Sequence, residues 1–243
     1  MTGWNGQILH LDLTHSQWWV ERPSPEMYHA WLGGKGVAGD YLAPHVTRAW
    51  DDPAMPLIFM TGPLVGTLAP TSGRMCVMSR SPLTGTVGDA SVGGSLGTQL
   101  KRAGWDGIVI TGRATAPCGI EIEDDAVRIE SAGTLDGIRI SELYAQLAEK
   151  GAVAATGVAA EHGVHFAGIM VDGTYAVGRN GLGLVAAAKN LKYLTVKGTG
   201  RVAVSDADAL KKAQEDIFRQ IAASPVLFGE RGLIHYGTGA IYD

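Results

Sequence analysis

Thirty-four glycines in 243 residues constrain this chain more than any other feature. That is about twice the usual share of roughly 7%. They follow no collagen period and form no linker run. They sit in short clusters between apolar segments, which predicts backbone positions with φ > 0 or close approach of a ligand. In GRNGLGLVAAAKNLKYLTVKG, residues 178–198, glycines surround Arg179, an Ala-rich helix-like stretch follows, and a β-like run closes it from Tyr193 to Val196. Glycines ahead of a helix often cradle phosphate.

The glycine clusters recur. GGKGVAGDYLAPHV (33–46) and PLIFMTG (56–62) come first, then GGSLGTQLKRAGWDGIVITG (93–112), then 178–198. Each reads as glycines, a short amphipathic helix and a β-branched strand closing on Thr-Gly or Lys-Gly. The spacings differ, so the expectation is a degenerate duplication of supersecondary units, not a solenoid. Around these units, Gln7–Leu13 alternates as a strand, with a turn at Thr14–Ser16 and a second strand from Trp18 to Glu21, ended by Pro23 and Pro25. Residues 119–130 read as a hairpin turning at Asp124-Asp125. Ser141 is expected to cap a short helix through Lys150, with Glu142 in its first turn. Ala152–Ala155 and Val164–Val171 are strand candidates. Ser205, with Asp208 three residues on, resembles a capping box for a helix over 207–222.

Composition excludes several classes. Apolar residues at 46% indicate a globular chain, and a net charge of −4 leaves no electrostatic footprint for nucleic acid. Cys76 and Cys118 form no CxxC pair, which argues against a disulfide scaffold and against a self-contained zinc or iron–sulfur site. No signal-peptide pattern and no apolar run of transmembrane length is present, so the expected location is the cytoplasm.

Three stretches carry candidate chemistry. In TSGRMCVMSRSPLTG (71–85), Arg74 either forks onto a phosphate or heterocycle edge, or is a surface arginine at a strand start. In GDASVGGSLG (88–97), Ser91, Val92 and Gly93 lead into a helix from Ser95, either as an anion-binding turn or as a turn needed for packing. In DGTYAVGRNGLG (172–183), Ala176, Gly178 and Arg179 precede a helix at Leu184; no strand directly precedes it in this reading, and a Rossmann order is missing. Glu161-His162 reads as an ordinary surface or structural pair. Cys76 is expected in the core, and Trp18 and Trp19 in the core and on the sheet surface.

Taken together, GGKG (33–36), LIFMTGPLVGTLAPTSGR (57–74), SRSPLTG (79–85), SVGGSLGTQLKRAGWDGIVITGRA (91–114) and DGTYAVGRNGLGLVAAAKNLKYLTVKGTG (172–200) occur in an order that closely resembles the N-terminal domain of the aldehyde:ferredoxin oxidoreductase family. The resemblance covers about residues 4–204. It implies an α+β fold of mixed β-sheets and short helices, internally duplicated, over residues 1–204. Residues 205–243 are then the start of a second, helical domain.

The resemblance also implies chemistry. The cofactor is a bis-pterin carrying tungsten or molybdenum (tungstopterin or molybdopterin), with Mg2+ bridging the pterin phosphates. The pterin-contacting residues map to Arg74, Ser91, Val92, Gly93, Tyr175, Ala176, Gly178 and Arg179. The family often has Asn where Ser91 stands and Arg where Tyr175 stands. Serine reaches less far than asparagine, and tyrosine removes a positive charge while keeping a hydrogen-bond donor. No catalytic acid or base and no protein ligand to the metal is implied here. The family's [4Fe–4S] cysteines lie in later domains, and Cys76 and Cys118 cannot replace four thiolates. The implied function is the cofactor-binding part of an enzyme oxidising aldehydes to carboxylic acids, inactive as this chain alone. Its partners are the remaining domains or a cysteine-bearing subunit, and ferredoxin. A stand-alone metallopterin-binding or carrier module, or a non-catalytic partner subunit, is the alternative.

Overall fold

The computed structural model describes residues 2–241. The alternating run at 7–13 becomes β1 (Ile8–Asp12), which turns back through Ser16 at φ 52° into β2 (Gln17–Glu21). Pro25 opens α1 (Pro25–Trp31), and the GGKG glycines start α2 (Gly34–Leu42). Then come β3 (Leu57–Met60), β4 (Met75–Arg80), β5 (Val87–Val92), α3 (Leu96–Arg102) and β6 (Gly107–Thr111). These strands form one sheet in the order β2-β1-β6-β3-β4-β5.

The chain then repeats this plan. β7 (Cys118–Glu123) and β8 (Ala126–Ser131) form the expected hairpin, turning at Asp124 with φ 51°. There follow α4 (Ile140–Leu147), β9 (Ala152–Ala155), a one-turn α5 (Val158–Glu161), β10 (Ile169–Val171), β11 (Tyr175–Val177), α6 (Leu182–Ala188) and β12 (Leu191–Lys197). The second sheet runs β8-β7-β12-β9-β10-β11, the first order with six added to every number. Register agrees too. The parallel pair β1/β6 sets Ile8 opposite Gly107, and β7/β12 sets Gly119 opposite Tyr193. The antiparallel pairs set Met60 opposite Gly107 and Ala155 opposite Tyr193. The α+β class and the degenerate duplication therefore stand, and the repeated unit is a six-stranded half. The stretches 93–112 and 178–198 are true counterparts.

Helices α3 and α6 lie between the sheets and cross over. α3 packs on β12 and β9 of the second sheet, and α6 packs on β4 and β3 of the first as well as on β12. One core cluster joins the two halves, with Leu9, Phe59, Val77 and Val92 from one sheet and Ile120, Ala154, Val171 and Val196 from the other. Exclusion of that shared apolar surface from water is the main term holding the halves together. The outer face of the first sheet is covered by Tyr28, Val37, Ala38 and Leu42 of α1 and α2, and that of the second by Leu143 and Leu147 of α4. Cys76 and Cys118 are both buried and free.

Several boundaries differ from the sequence expectation. Arg139, in extended backbone, precedes α4, so Ser141 is already inside the helix. The strand candidate from Val164 forms only over Ile169–Val171, because 164–167 close a local turn (Ala167 N–H to Val164 C=O, 2.9 Å). A strand, β11, does precede the 178–183 glycines, and α6 starts at Leu182, two residues early. α7 (Ala207–Ala222) matches its expected span, but Asp206 caps it, its side chain accepting from Ala209 N–H at 2.8 Å. Trp18 and Trp19 are both exposed.

Candidate functional site

The two glycine-led loops, β5–α3 and β11–α6, meet because their strands are the facing edges of the two sheets. The Tyr175 ring lies on Gly93 and Gly94: a Cβ at Gly93 would stand 2.9 Å from the ring. Gly94, at φ +94°, has room for no side chain either, since its Cβ would lie 2.7 Å from Asp172 Oδ2. Each loop is held by a turn from the other half. Asp172 Oδ2 accepts from Ser95 N–H (2.5 Å) and Ser95 Oγ (2.8 Å), and its Oδ1 accepts from Val153 N–H (3.0 Å). Reciprocally, Ser81 Oγ donates to Asn180 C=O (2.8 Å), and Asn180 Nδ2 donates to Asp89 C=O (2.8 Å). Ahead of α6, Asn180 and Gly181 are left-handed at φ 68° and 69°; the Gly181 Cβ would sit 1.9 Å from His165 C=O.

The sequence-derived residues fall along this seam. Arg74, just before β4, donates from Nη1 to Ser91 C=O at 2.9 Å, and both residues are exposed. Gly93 touches Tyr175, and Tyr175, Ala176, Gly178 and Arg179 are exposed on the β11 side. Val92 differs: its side chain is 2% exposed and belongs to the core between the sheets, so only its backbone is available.

Two charged residues complete the surface and were not singled out from sequence. Lys35, in the first turn of α2, pairs with Asp89 on β5, two residues from Ser91 and on the same face of the strand. The Asp89 carboxylate raises the Lys35 pKa, first by accepting its hydrogen bond and then by its charge, while Arg179 lowers it. Cys76 lies beneath; burial, and then Asp89, pushes its thiol up to about 12, so it is no thiolate at neutral pH. The arrangement is thus a shelf of three cations (Lys35, Arg74, Arg179), two hydroxyls and one carboxylate over a rigid floor. Guanidinium forks, an ammonium and hydroxyl donors suit phosphate oxygens. Among the described residues, no group of three or more His, Cys, Asp or Glu side chains is placed to hold a metal. No helix there is long and apolar enough to cross a membrane.

Comparison with known proteins agrees with this architecture. The family profile described as "Aldehyde ferredoxin oxidoreductase, N-terminal domain" matches residues 8–198. The chain is 38% identical over 250 residues to the tungsten-containing aldehyde ferredoxin oxidoreductase of Pyrococcus abyssi, a match covering 100% of this chain and 41% of that protein. It is 30% identical over 263 residues to the aliphatic sulfonate oxidoreductase, WOR-like subunit, of Pyrococcus furiosus, covering 99% of this chain and 41% of the relative. Among solved structures, the active site complex BamBC of benzoyl coenzyme A reductase, bound to 1,5-dienoyl-CoA, superposes with a TM-score of 0.87 at 29% identity. That superposition covers 91% of this chain and 35% of the other. The chain therefore spans about two fifths of the length of the curated relatives it matches.

Proposed function

The chain belongs to the aldehyde ferredoxin oxidoreductase family, and we propose that it is the cofactor-binding N-terminal part or subunit of a tungsten- or molybdenum-pterin oxidoreductase. The reaction is oxidation of an aldehyde to a carboxylic acid. Electrons leave through a [4Fe–4S] cluster, held by other domains or by a cysteine-bearing partner subunit, to ferredoxin. The cytoplasm is the expected location.

The observation that carries this reading is the cationic shelf on the β5/β11 seam. Arg74 and Arg179 bind pterin phosphates, and Lys35 adds a point charge. Ser91 Oγ offers the side-chain oxygen nearest in role to a magnesium ligand, and Tyr175 replaces a cation with a neutral donor. Val92, Gly93, Ala176 and Gly178 contribute backbone and absence of bulk. When bound, the metallopterin supplies the redox chemistry; the protein positions it and tunes its electrostatics. The family's activity needs more polypeptide than this, so the chain alone is inactive in this reading. The helix α7 supports that choice over a stand-alone carrier. It has no buried residue, and it exposes Ile217 and Phe218 beside Val226 and Phe228. Apolar faces of this kind usually pack on further protein.

Elemental analysis of full-length protein purified natively, with an aldehyde-dependent dye-reduction assay, tests the proposal. Tungsten or molybdenum together with iron, and aldehyde-dependent reduction, is the expected result. Metal and pterin without iron or a partner favours the carrier, and no metal removes the proposal.

A further inference from the structure

Two sheet edges stand in equivalent places on the two halves: β2 beside β1, and β8 beside β7. Register fixes which residues correspond. Thr61 N–H donates to Asp106 C=O at 2.9 Å, and Thr156 N–H donates to Lys192 C=O at 3.0 Å, so Asp106 and Lys192, the latter paired with Glu161, are counterparts. Gly107 then matches Tyr193, and Ile8 matches Gly119. Carried across the hairpins, Trp18 matches Val127, Trp19 matches Arg128 and Glu21 matches Glu130.

An open edge offers unpaired N–H and C=O groups to any extended chain, and charged side chains on it discourage pairing. β8 carries that protection in Arg128 and Glu130, both exposed and 4.0 Å apart. β2 does not. It contains no proline, lysine or arginine, and its five pairs with β1 run without a bulge. Trp18 is 42% exposed and Trp19 48%, and as neighbours on a strand they lie on opposite faces of the sheet. His10 stacks on the Trp19 ring (5.1 Å between centroids, 15° between planes) and holds the indole in place. Which backbone groups are free follows from β1. Leu13 N–H donates to Thr111 C=O at 2.9 Å, so the odd residues of β1 bond to β6 and the even ones to β2. Ile8, His10 and Asp12 therefore occupy Glu21, Trp19 and Gln17, and the N–H and C=O of Trp18 and Val20 point outward.

The order of residue types in β2 reads the same from either end: polar, apolar, apolar, apolar, polar (Gln-Trp-Trp-Val-Glu). We propose that β2 pairs antiparallel with β2 of a second copy of this protein, about a two-fold axis at Trp19. That register sets Trp18 against Val20 of the other copy on both sides of the axis, and it uses the free groups of these residues as hydrogen-bonded pairs. Trp19 meets Trp19 across the axis as a non-hydrogen-bonded pair, where side chains come closest. Glu21, whose carboxylate holds His10 Nε2 at 2.7 Å, faces the neutral amide of Gln17, so no like charges are opposed. A two-fold pair requires a strand that is complementary to itself when reversed, and β2 is one. An unrelated strand has no need of that symmetry.

The test is oxidative cross-linking of the full-length protein carrying Trp19→Cys, read on a gel without reductant. Paired Trp19 positions have Cα atoms about 4.5 Å apart, inside the disulfide range of roughly 4.4–6.8 Å. Trp18→Cys is the control, because its two copies lie on a diagonal about 7–8 Å apart, outside that range. Covalent dimer from Trp19→Cys should exceed that from wild type or Trp18→Cys by roughly tenfold or more. Light scattering of Trp19→Lys, which opposes two ammonium groups across the axis, should show half the wild-type mass. Should Trp19→Cys fail to fold, Gln17→Cys/Glu21→Cys reads the same register, since those positions face each other between copies. Equal cross-linking in the Trp18→Cys and Trp19→Cys proteins, a cross-link to a different polypeptide, or an unchanged mass for Trp19→Lys overturns the proposal. None of these readouts depends on bound cofactor.

Discussion

Two halves of this molecule share one strand plan yet close it differently. In the first, the chain ahead of β1 folds into the end of the sheet and gives Asp106 two amide donors, Asn5 and Gly6, beside Tyr28 Oη of α1 and Lys101 Nζ of α3. In the second, the equivalent chain runs from the first half, Ala114 N–H and C=O being held by Lys189 C=O and Asn190 Nδ2, and leaves Lys192 beside an open cavity. The seam shows the same asymmetry. Its two loops are tied reciprocally, but one tie is a carboxylate on three donors and the other a serine hydroxyl. A duplicated fold thus preserves backbone pairing, which every sheet requires, while the side chains that seal each copy diverge.

The largest effect should separate the two buried charges. Asp106→Ala leaves Lys101 charged and unpaired in the core and should cost about 3–5 kcal/mol in chemical denaturation. Glu161→Ala should cost visibly less, because removing the partly exposed Glu161 side chain opens Lys192 to water in the adjoining cavity. Equal costs would deny the contrast between a sealed and an open copy. Next, Gly181→Ala and Gly94→Ala both force a side chain into left-handed backbone, a strain of about 1–3 kcal/mol. Gly181 should be the more sensitive, since its Cβ meets a fixed carbonyl and that of Gly94 meets a side chain.

Smaller still, Asp172→Ala should destabilise more than Ser81→Ala, by about 1 kcal/mol, because it frees three donors, including the amide leading into α3. Thermal unfolding of the pair measures this. Least of all, the thiols should report burial. Cys76 is pushed up to about 12 and Cys118 to about 11, mainly by burial, from 9.0. Above pH 9 the unfolded chain therefore loses protons that the folded one keeps, so these groups lower stability as pH rises toward 11–12. Native protein at pH 8 should resist a thiol-reactive dye until denaturant is added; prompt labelling of either cysteine would show that its half opens locally.

Much of the fold could be read from sequence where one local signal dominates. The alternation of Ile8 to Leu13, the hairpin at Asp124 and the period of α7 are such cases. Failures arose where two polar neighbours compete, as with Asp206 beside Ser205, or where an apolar run lacks alternation, as at Val164–Val171. The glycine loops were visible, but not the turn residues Ser81 and Asp172 that hold them, because each acts on a loop far away in the chain. Lys35 lies in the GGKG motif, 54 residues before Asp89, so its partner is set by the fold and not by local sequence. Glu161 read as a surface or structural residue, and its ion pair was not foreseen because nothing local marks Lys192, a lysine between Leu191 and Tyr193, as buried.

In the proposed function the β5/β11 seam holds the cofactor. Metal and pterin content of the natively expressed full-length protein should therefore be compared between wild type and Arg74→Ala/Arg179→Ala, with circular dichroism confirming an unchanged fold. Loss of most tungsten or molybdenum, together with pterin, is predicted. Full retention of both in the folded double variant would contradict the assignment.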